Sequence, residues 1–290
     1  MSIKAQLLSG GLYDVRTHHQ RGWLGTASFS PLDLEGGALW LDSTDLDTIT
    51  KDESENVSQW DDKFATGRNA FASGVAQPVY SADGMTFDGA NTFMQIGTSL
   101  SDFTFLHDGT GATVFIVFKT AVPNPLVDYS LLANTLGSSS GMFMHSTDGA
   151  FNDSFRTRIN AITSPVINLW ADAGIAPQET TNIISTRYGT EAGLANDFFS
   201  YADNVQQDNA DNLVAPDTGN PVFQMFLGTT PNINVMFNGH IKEIIIYDRK
   251  LSVDEHTQVY EYLKKKVYNY LITDSGDSLV TDSGDRLIAG

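Results

Sequence analysis

The chain has 290 residues, 41% of them apolar and 11% aromatic, enough to bury a sizeable core in one large domain or two small ones. It carries 17 Lys and Arg against 35 Asp and Glu, a formal net charge of −18 with no block of basic residues, which excludes a nucleic-acid partner. It has no cysteine, so disulfides and thiolate metal sites are excluded, and no stretch is long and apolar enough to span a bilayer.

Residues 1–36 show neither a period of two nor one of 3.6, and they hold Gly10-Gly11, His18-His19, Pro31 and Gly36-Gly37. This pattern predicts an extended N-terminal arm rather than a domain. The opening MSIKAQLLSGGLYDV lacks the apolar run of an export signal, and with no cysteine this fits assembly in a reducing cytoplasm. The first 25 residues carry Lys4, Arg16 and Arg21 against Asp14 alone, so the acidic excess belongs to the rest of the chain. Leu7, Leu8, Leu12, Tyr13, Trp23 and Leu24 are the arm's candidate anchors, with Arg16 and Arg21 pairing to carboxylates on a neighbouring subunit.

From residue 37 to 268 short apolar runs recur between Gly, Asn, Asp and Ser clusters. They are ALWL (38–41), MTF (85–87), TVFIVF (113–118), SLLA (130–133), GMFMH (141–145), NIISTRY (182–188), VFQMFLG (222–228) and IKEIIIY (241–247). Many short strands with a single convincing helix predict an all-β antiparallel sandwich or jelly roll. Asn238-Gly239 reads as a turn before the last strand, in which Ile244 and Ile246, or Ile245 and Tyr247, face the core. Ser252 and Glu255 form a capping box that starts a helix at Val253, with Val259, Leu263 and Val267 on one face and Lys264, Lys265 and Lys266 in the last turn. Residues 269–290 form a tail that contains an eight-residue repeat, ITDSGDSL then VTDSGDRL, read as two tight β-turns between very short strands.

Four segments resemble the laminin-G-like, concanavalin A-like jelly roll of phage and bacterial surface proteins: ALWLDSTDLDTI, VSQWDDKFATGRNA, MTFDGANTFMQIG and FNGHIKEIIIYDRKLSVDE, in that order over about 38–268. The resemblance implies that the closing strand lies near the opening strand and that the helix covers an end or edge of the sandwich. Where many relatives carry two acidic residues after Phe-Asp-Gly, this chain has Ala90-Asn91, which weakens any calcium site carried over from them.

Sugar hydrolysis on this fold needs two carboxylates across a cleft. The Glu-x-Asp-x-x-Glu strand of the glucanase branch is absent, as is any Gly-x-Ser-x-Gly elbow, so no catalytic residue is assigned and the chain is read as a non-enzyme. Asp42, Asp45, Asp47, Asp61, Asp62 and Asp88 fall in acidic turns, read first as solvated surface with calcium as the open alternative and no other cofactor. Trp40 and Trp60 belong to the structural motifs and are expected in the core, whereas Trp170, Tyr188 and Tyr201 are the candidate glycan-facing aromatics.

The DSGD-x-L repeats resemble the ends of phage head or tail structural proteins. Together these features predict a non-enzymatic virion protein — a capsid decoration, head fibre or tail component — held by its arm to capsid, portal-proximal or tail subunits and oligomeric within the particle. A carbohydrate-binding adsorption module that recognises host surface glycans is the alternative.

Overall fold

The computed structural model describes residues 29–121, 128–136, 139–147, 154–160, 167–171, 180–189, 198–210 and 217–268. In chain order the strands are β1 (Gly37–Asp42), β2 (Ile49–Lys51), β3 (Val57–Trp60), β4 (Ala70–Phe71), β5 (Val79–Ser81), β6 (Gly84–Asp88), β7 (Met94–Ile96), β8 (Ala112–Thr120) and β9 (Ser130–Ala133). They continue as β10 (Gly141–Thr147), β11 (Ser154–Asn160), β12 (Ile167–Ala171), β13 (Thr181–Tyr188), β14 (Phe198–Ala202), β15 (Val205–Ala210), β16 (Met225–Leu227) and β17 (Asn238–Tyr247), followed by helix α1 (Val253–Tyr268).

Two antiparallel sheets face one another, as the sequence predicts. The eight-stranded sheet runs β15-β14-β13-β8-β17-β6-β5, with β1 also paired to β17. The nine-stranded sheet runs β12-β11-β10-β9-β16-β7-β4-β3-β2. Between them Leu39, Val114, Ile116, Phe118, Ile244 and Ile246 of the first sheet meet Trp60, Met94, Ile96, Leu132, Met142, Met144 and Leu227 of the second. Each fully buried side chain of this size contributes roughly 1.5–3 kcal/mol.

The unbroken apolar runs of β8 and β17 have a second cause. Phe115, Val117, Ile245 and Tyr247 lie on the opposite face of the same strands and are buried against Leu251, Val259, Tyr260 and Leu263 of the helical segment. Ile244 with Ile246 and Ile245 with Tyr247 are therefore all interior, one pair in each of two cores. A strand covered on both faces reads as continuous rather than alternating apolar sequence. It also follows that α1 covers the middle of a sheet face, not an end or edge of the sandwich. Two of the last eight residues of the expected arm join this second core. Phe29 and Leu34 pack against it, and Tyr247 donates its hydroxyl hydrogen to the Pro31 carbonyl at 3.1 Å.

β1 and β17 are neighbours, as the resemblance implies, with Trp40 opposite Ile245 and Asp42 opposite Glu243. Asn238-Gly239, expected as a turn, instead opens β17, where Gly239 pairs with both Phe87 and Thr120. Gly239 has φ +151°, and a Cβ there would collide with the Lys119 carbonyl. The glycine serves close strand packing, not chain reversal.

α1 starts where the capping box places it. Ser252 Oγ accepts from the Glu255 N–H at 3.2 Å, and Glu255 accepts from the Ser252 N–H at 2.8 Å. Arg249 grips the same carboxylate with both Nη atoms, at 2.8 and 2.9 Å, which holds Glu255 down to a pKa of about 2.

The far end of α1 is pinned by charge. Lys266 Nζ donates to Asp42 Oδ1 at 2.7 Å, to Glu243 Oε2 at 2.6 Å and to the Tyr262 hydroxyl at 3.2 Å. Trp40 Nε1 donates to the other Glu243 oxygen at 2.8 Å. Burial pushes Glu243 up to about 7, partly opposed by Lys266. Burial acts in the same sense on Asp42, but Lys266, Thr44 and Lys63 outweigh it and hold that carboxyl below its usual range.

Ser252→Ala is expected to cost about 1 kcal/mol of stability in denaturant unfolding. An unchanged midpoint and slope would show that the cap contributes nothing. For Glu243 the fold favours the protonated form, so the stability it contributes is fully present below pH 4.5 and is lost as pH rises through 7. Melting curves of wild type and Glu243→Gln between pH 4.5 and 7.5 should therefore converge in favour of the variant as pH rises. A constant difference would mean Glu243 is ionised throughout.

Candidate functional site

The two sheets differ in what covers their outer faces. On the eight-stranded sheet that face carries α1. On the nine-stranded sheet the outward positions alternate with core residues. Phe71 follows Ala70, Gln95 lies between Met94 and Ile96, Phe226 between Met225 and Leu227, and Phe143 between Met142 and Met144. Successive side chains on a strand point to opposite faces, so these residues share the outer one.

The strand registers place them in one line. Gln59 pairs with Phe71, Phe71 with Gln95, Gln95 with Phe226, and Phe226 with Ala133. Ala133 pairs with Phe143, Phe143 with Arg158, and Arg158 with Asn168. At about 4.8 Å per strand, the row from Gln59 to Arg158 extends roughly 30 Å. Amide and aromatic side chains alternate along its first half. Phe71 is 37% exposed, and Gln95, Phe226, Phe143 and Arg158 are half-buried.

Beside the first half of the row lies a groove of about 460 Å³, lined by Phe71, Phe93, Gln95, Gln224, Ser73 and Thr98 among others. This is within the range of small-ligand sites. The Phe93 and Phe226 rings stand 5.8 Å apart at 42°. Aromatic rings here offer apolar faces, while amides and hydroxyls supply both donors and acceptors.

At the other end of the row Phe143 stacks on His145, ring centroids 4.0 Å apart and 18° from parallel. Arg156 Nε donates to His145 Nε2 at 2.7 Å. Burial, then the Arg156 charge, pushes His145 down to about 3, so the imidazole is neutral and accepts this bond.

The aromatics singled out from sequence are distributed differently. Tyr188 is not glycan-facing. It is 1% exposed, lies parallel to Phe198 at 4.9 Å, and donates its hydroxyl to the Leu106 carbonyl at 2.7 Å. Tyr201 belongs to the eight-stranded sheet, with its hydroxyl accepting from Arg187 Nη2 at 3.1 Å and its ring 4.3 Å from His256. Trp170 pairs through its backbone with Arg156 at the end of the nine-stranded sheet, and its side chain lies outside the described residues. Trp40 and Trp60 are buried, as expected. Leu7, Leu8, Leu12, Tyr13, Arg16, Arg21, Trp23, Leu24, the His18-His19 pair and the 272–287 repeats all lie outside the described residues.

The row itself was not singled out. Its signal is an aromatic or amide at the solvent parity of a strand, as in NAFAS, FMQIG and QMFLG. Parity is readable only once the core face of each strand is known.

Ser185 and His256 come within 2.8 Å of each other, the geometry of a nucleophile and its base. Both are buried under α1, and burial followed by the Arg187 charge pushes His256 down to about 3. The imidazole is held between Phe115 and Tyr201, at 4.8 and 4.3 Å, so the pair fastens the helix to β13.

Four of the turn aspartates, Asp42, Asp45, Asp62 and Asp88, are committed to their own surroundings. Burial raises the pKa of Asp88, but its Oδ1 accepts from the N–H groups of Ala90, Asn91 and Thr92, which outweigh this and hold it at about 2. Lys63 bridges Asp42 and Asp45 at 2.9 and 2.8 Å. Asp62 accepts from the N–H groups of Trp40, Phe64 and Thr66. No group of three or more His, Cys, Asp or Glu placed to hold a metal occurs among the described residues. No helix among them is long and apolar enough to cross a membrane.

No protein-family model matches the sequence, and no curated protein matches it. Solved structures do match. The receptor-binding domain of botulinum neurotoxin D gives a TM-score of 0.55 at 12% identity, covering 87% of this chain and 58% of that one. A structure of botulinum neurotoxin type C, whose cell entry is described as dependent upon interaction with two ganglioside molecules, gives 0.56 at 9% identity, covering 87% and 57%. A sialidase CBM40 module of Ruminococcus gnavus matches with a TM-score of 0.43 at 18% identity, covering 54% of this chain and 84% of that one. The chain spans less than two-thirds of the neurotoxin chains, and at these identities the likeness to them is one of fold.

If the acidic turns are satisfied as described, EDTA should leave the melting temperature unchanged. A ligand bound by the native state alone stabilises it by mass action, so a drop of many degrees would reveal a bound cation.

Proposed function

We propose that this chain is a non-catalytic recognition module that binds saccharide along the outer face of its nine-stranded sheet. The observation that carries the reading is the cross-strand row in which Gln59, Phe71, Gln95 and Phe226 alternate amide and ring over four consecutive strands. A sugar ring presents C–H groups on its faces and hydroxyls around its rim. An aromatic face suits the first and an amide, which both donates and accepts, suits the second. A flat row also suits an extended chain of sugar units better than a deep pocket would. The neurotoxin domains of like fold are receptor-binding, and the type C toxin is described with gangliosides, which supports this use of the sandwich. The place in a virion expected from the sequence rests on resemblance alone. It is the setting in which an adsorption module of this kind would serve.

A glycan array probed with the purified chain, followed by calorimetry on the best ligand, tests the reading. Phe71→Ala and Phe226→Ala should each weaken binding tenfold or more, about 1.4 kcal/mol, while their circular dichroism stays native. Binding to no saccharide, or binding indifferent to both substitutions, would overturn it.

A further inference from the structure

We infer that the groove beside the first half of the row is a subsite for an uncharged sugar unit, with Gln95 and Gln224 as the residues that set its specificity. This rests on the saccharide reading above.

The groove is built around one amide. Gln95 is the middle residue of β7, with Phe71 opposite it on β4 and Phe226 opposite it on β16. Phe93, two residues before Gln95, lines the groove as well, and its ring is the one that stands 5.8 Å from Phe226. Gly97, two residues after Gln95, adds no side chain. It has φ +77°, and a Cβ there would collide with the Asp102 carboxylate, so this position stays bare. Gln224, immediately before β16, brings a second amide, and Ser73 and Thr98 bring hydroxyls.

These polar groups are uncommitted. Among the described residues the side chains of Gln95, Gln224, Ser73 and Thr98 have no hydrogen-bond partner. Gln59, at the end of the row, differs, because its Nε2 donates to Asp61 at 2.6 Å. Two half-buried amides set among aromatic rings and left without partners are groups that a ligand rich in donors and acceptors satisfies.

The groove also lacks charge. None of the described side chains that line it is ionisable. Asp102 lies behind it, where Oδ2 accepts from the N–H groups of Thr98 and Ser99 at 2.9 Å each. Arg68 reaches the same loop but spends Nε and Nη1 on the Asp102 and Ala38 carbonyls, at 2.9 and 3.1 Å. A carboxylate or sulfate entering the groove would give up water, find only neutral donors, and face Asp102 on a chain of formal charge −18. A neutral sugar meets none of these costs. Its hydroxyls donate and accept, as the two amides do, and its C–H faces rest on the rings.

The test sets neutral sugars against acidic ones. A glycan array probed with the full chain should give its hits among neutral saccharides. Calorimetry then compares ligands of one skeleton and different charge, methyl-esterified with free trigalacturonate, and cellotriose with its C6-oxidised acid. The neutral member should bind at least tenfold more tightly in one or both pairs. Its affinity should change less than twofold as NaCl is raised from 50 to 300 mM. Gln95→Ala and Gln224→Ala should each weaken neutral binding fivefold or more. Gln224→Lys should shift the preference towards the acid, which a merely structural role for Gln224 would not produce. The ligand pairs and the salt series on the wild-type chain decide the matter even if the variants fail to fold. Array hits confined to uronic, sialylated or sulfated saccharides, or an acid bound as tightly as its neutral partner, would overturn the inference and leave the saccharide reading standing. Neutral binding that survives both alanine substitutions of the glutamines but is lost in Phe226→Ala would do the same. Absence of binding to all four ligands and to every saccharide on the array would overturn both readings.

Discussion

Asp42 and Glu243 lie opposite each other on adjacent antiparallel strands, both almost fully buried, and the pairing is made tolerable by a cation between them and by burial, which favours the protonated form of Glu243. Lys266 supplies it from the last turn of α1. Like charges directly opposite on neighbouring strands are destabilising, and the loss of one partner from a buried ion network typically costs about 3–5 kcal/mol. That exceeds the cap at the start of the same helix, worth about 1 kcal/mol. Much else converges on this point. Trp40 donates to Glu243 and lies under the Lys63 ammonium, Lys63 reaches Asp42 and Asp45, and Asp62 caps the Trp40 backbone. The first strand, the last strand, the helix and the loop after β3 meet in one polar cluster bordered by aromatic rings.

This arrangement divides labour between the sheets. The eight-stranded sheet is interior on both faces over β8 and β17, so substitutions there affect two cores at once. The nine-stranded sheet has its inner face in the common core and an outer face that carries Phe71 between Gln59 and Gln95, with Phe226 and Phe143 on either side of the buried Ala133. A rigid backing under a patterned outer face is what the proposed binding surface would require, since ordering mobile side chains on binding would subtract from affinity.

The architecture was legible because its signals are local or repeated. Strand runs at 38–41, 130–133 and 182–188 are read almost residue for residue, and Ser252 with Glu255 marks the helix start directly. The closing of β1 on β17 was legible through resemblance. What escaped depends on three-dimensional parity and register. Nothing local distinguishes Tyr188, stacked in the core, from an exposed tyrosine, and Gly239 looks like a turn glycine until the strand against its α-carbon is known. Glu243 sits in an apolar strand as an apparent exception, when in fact it is buried against a lysine 23 residues away. The cross-strand row draws on seven strands between Gln59 and Arg158, separated in sequence by loops of every length, so no window of the chain contains it.

β17 is bordered along one side by β8 and along the other first by β6 and then by β1, which makes one of the last strands to be synthesised a central member of its sheet. On the ribosome, β1, β6 and β8 are complete more than a hundred residues before the strand that joins them. Until residue 247 emerges, β1 has no partner in the eight-stranded sheet and Phe115 and Val117 have no helix above them. Pairings between residues so far apart in sequence close slowly, and an apolar sheet face left open in the meantime invites association with other chains. The eight-stranded sheet thus reaches its stable form only once β17 and the helix after it have emerged, and protection of the nascent chain up to that moment is a requirement that this strand order imposes.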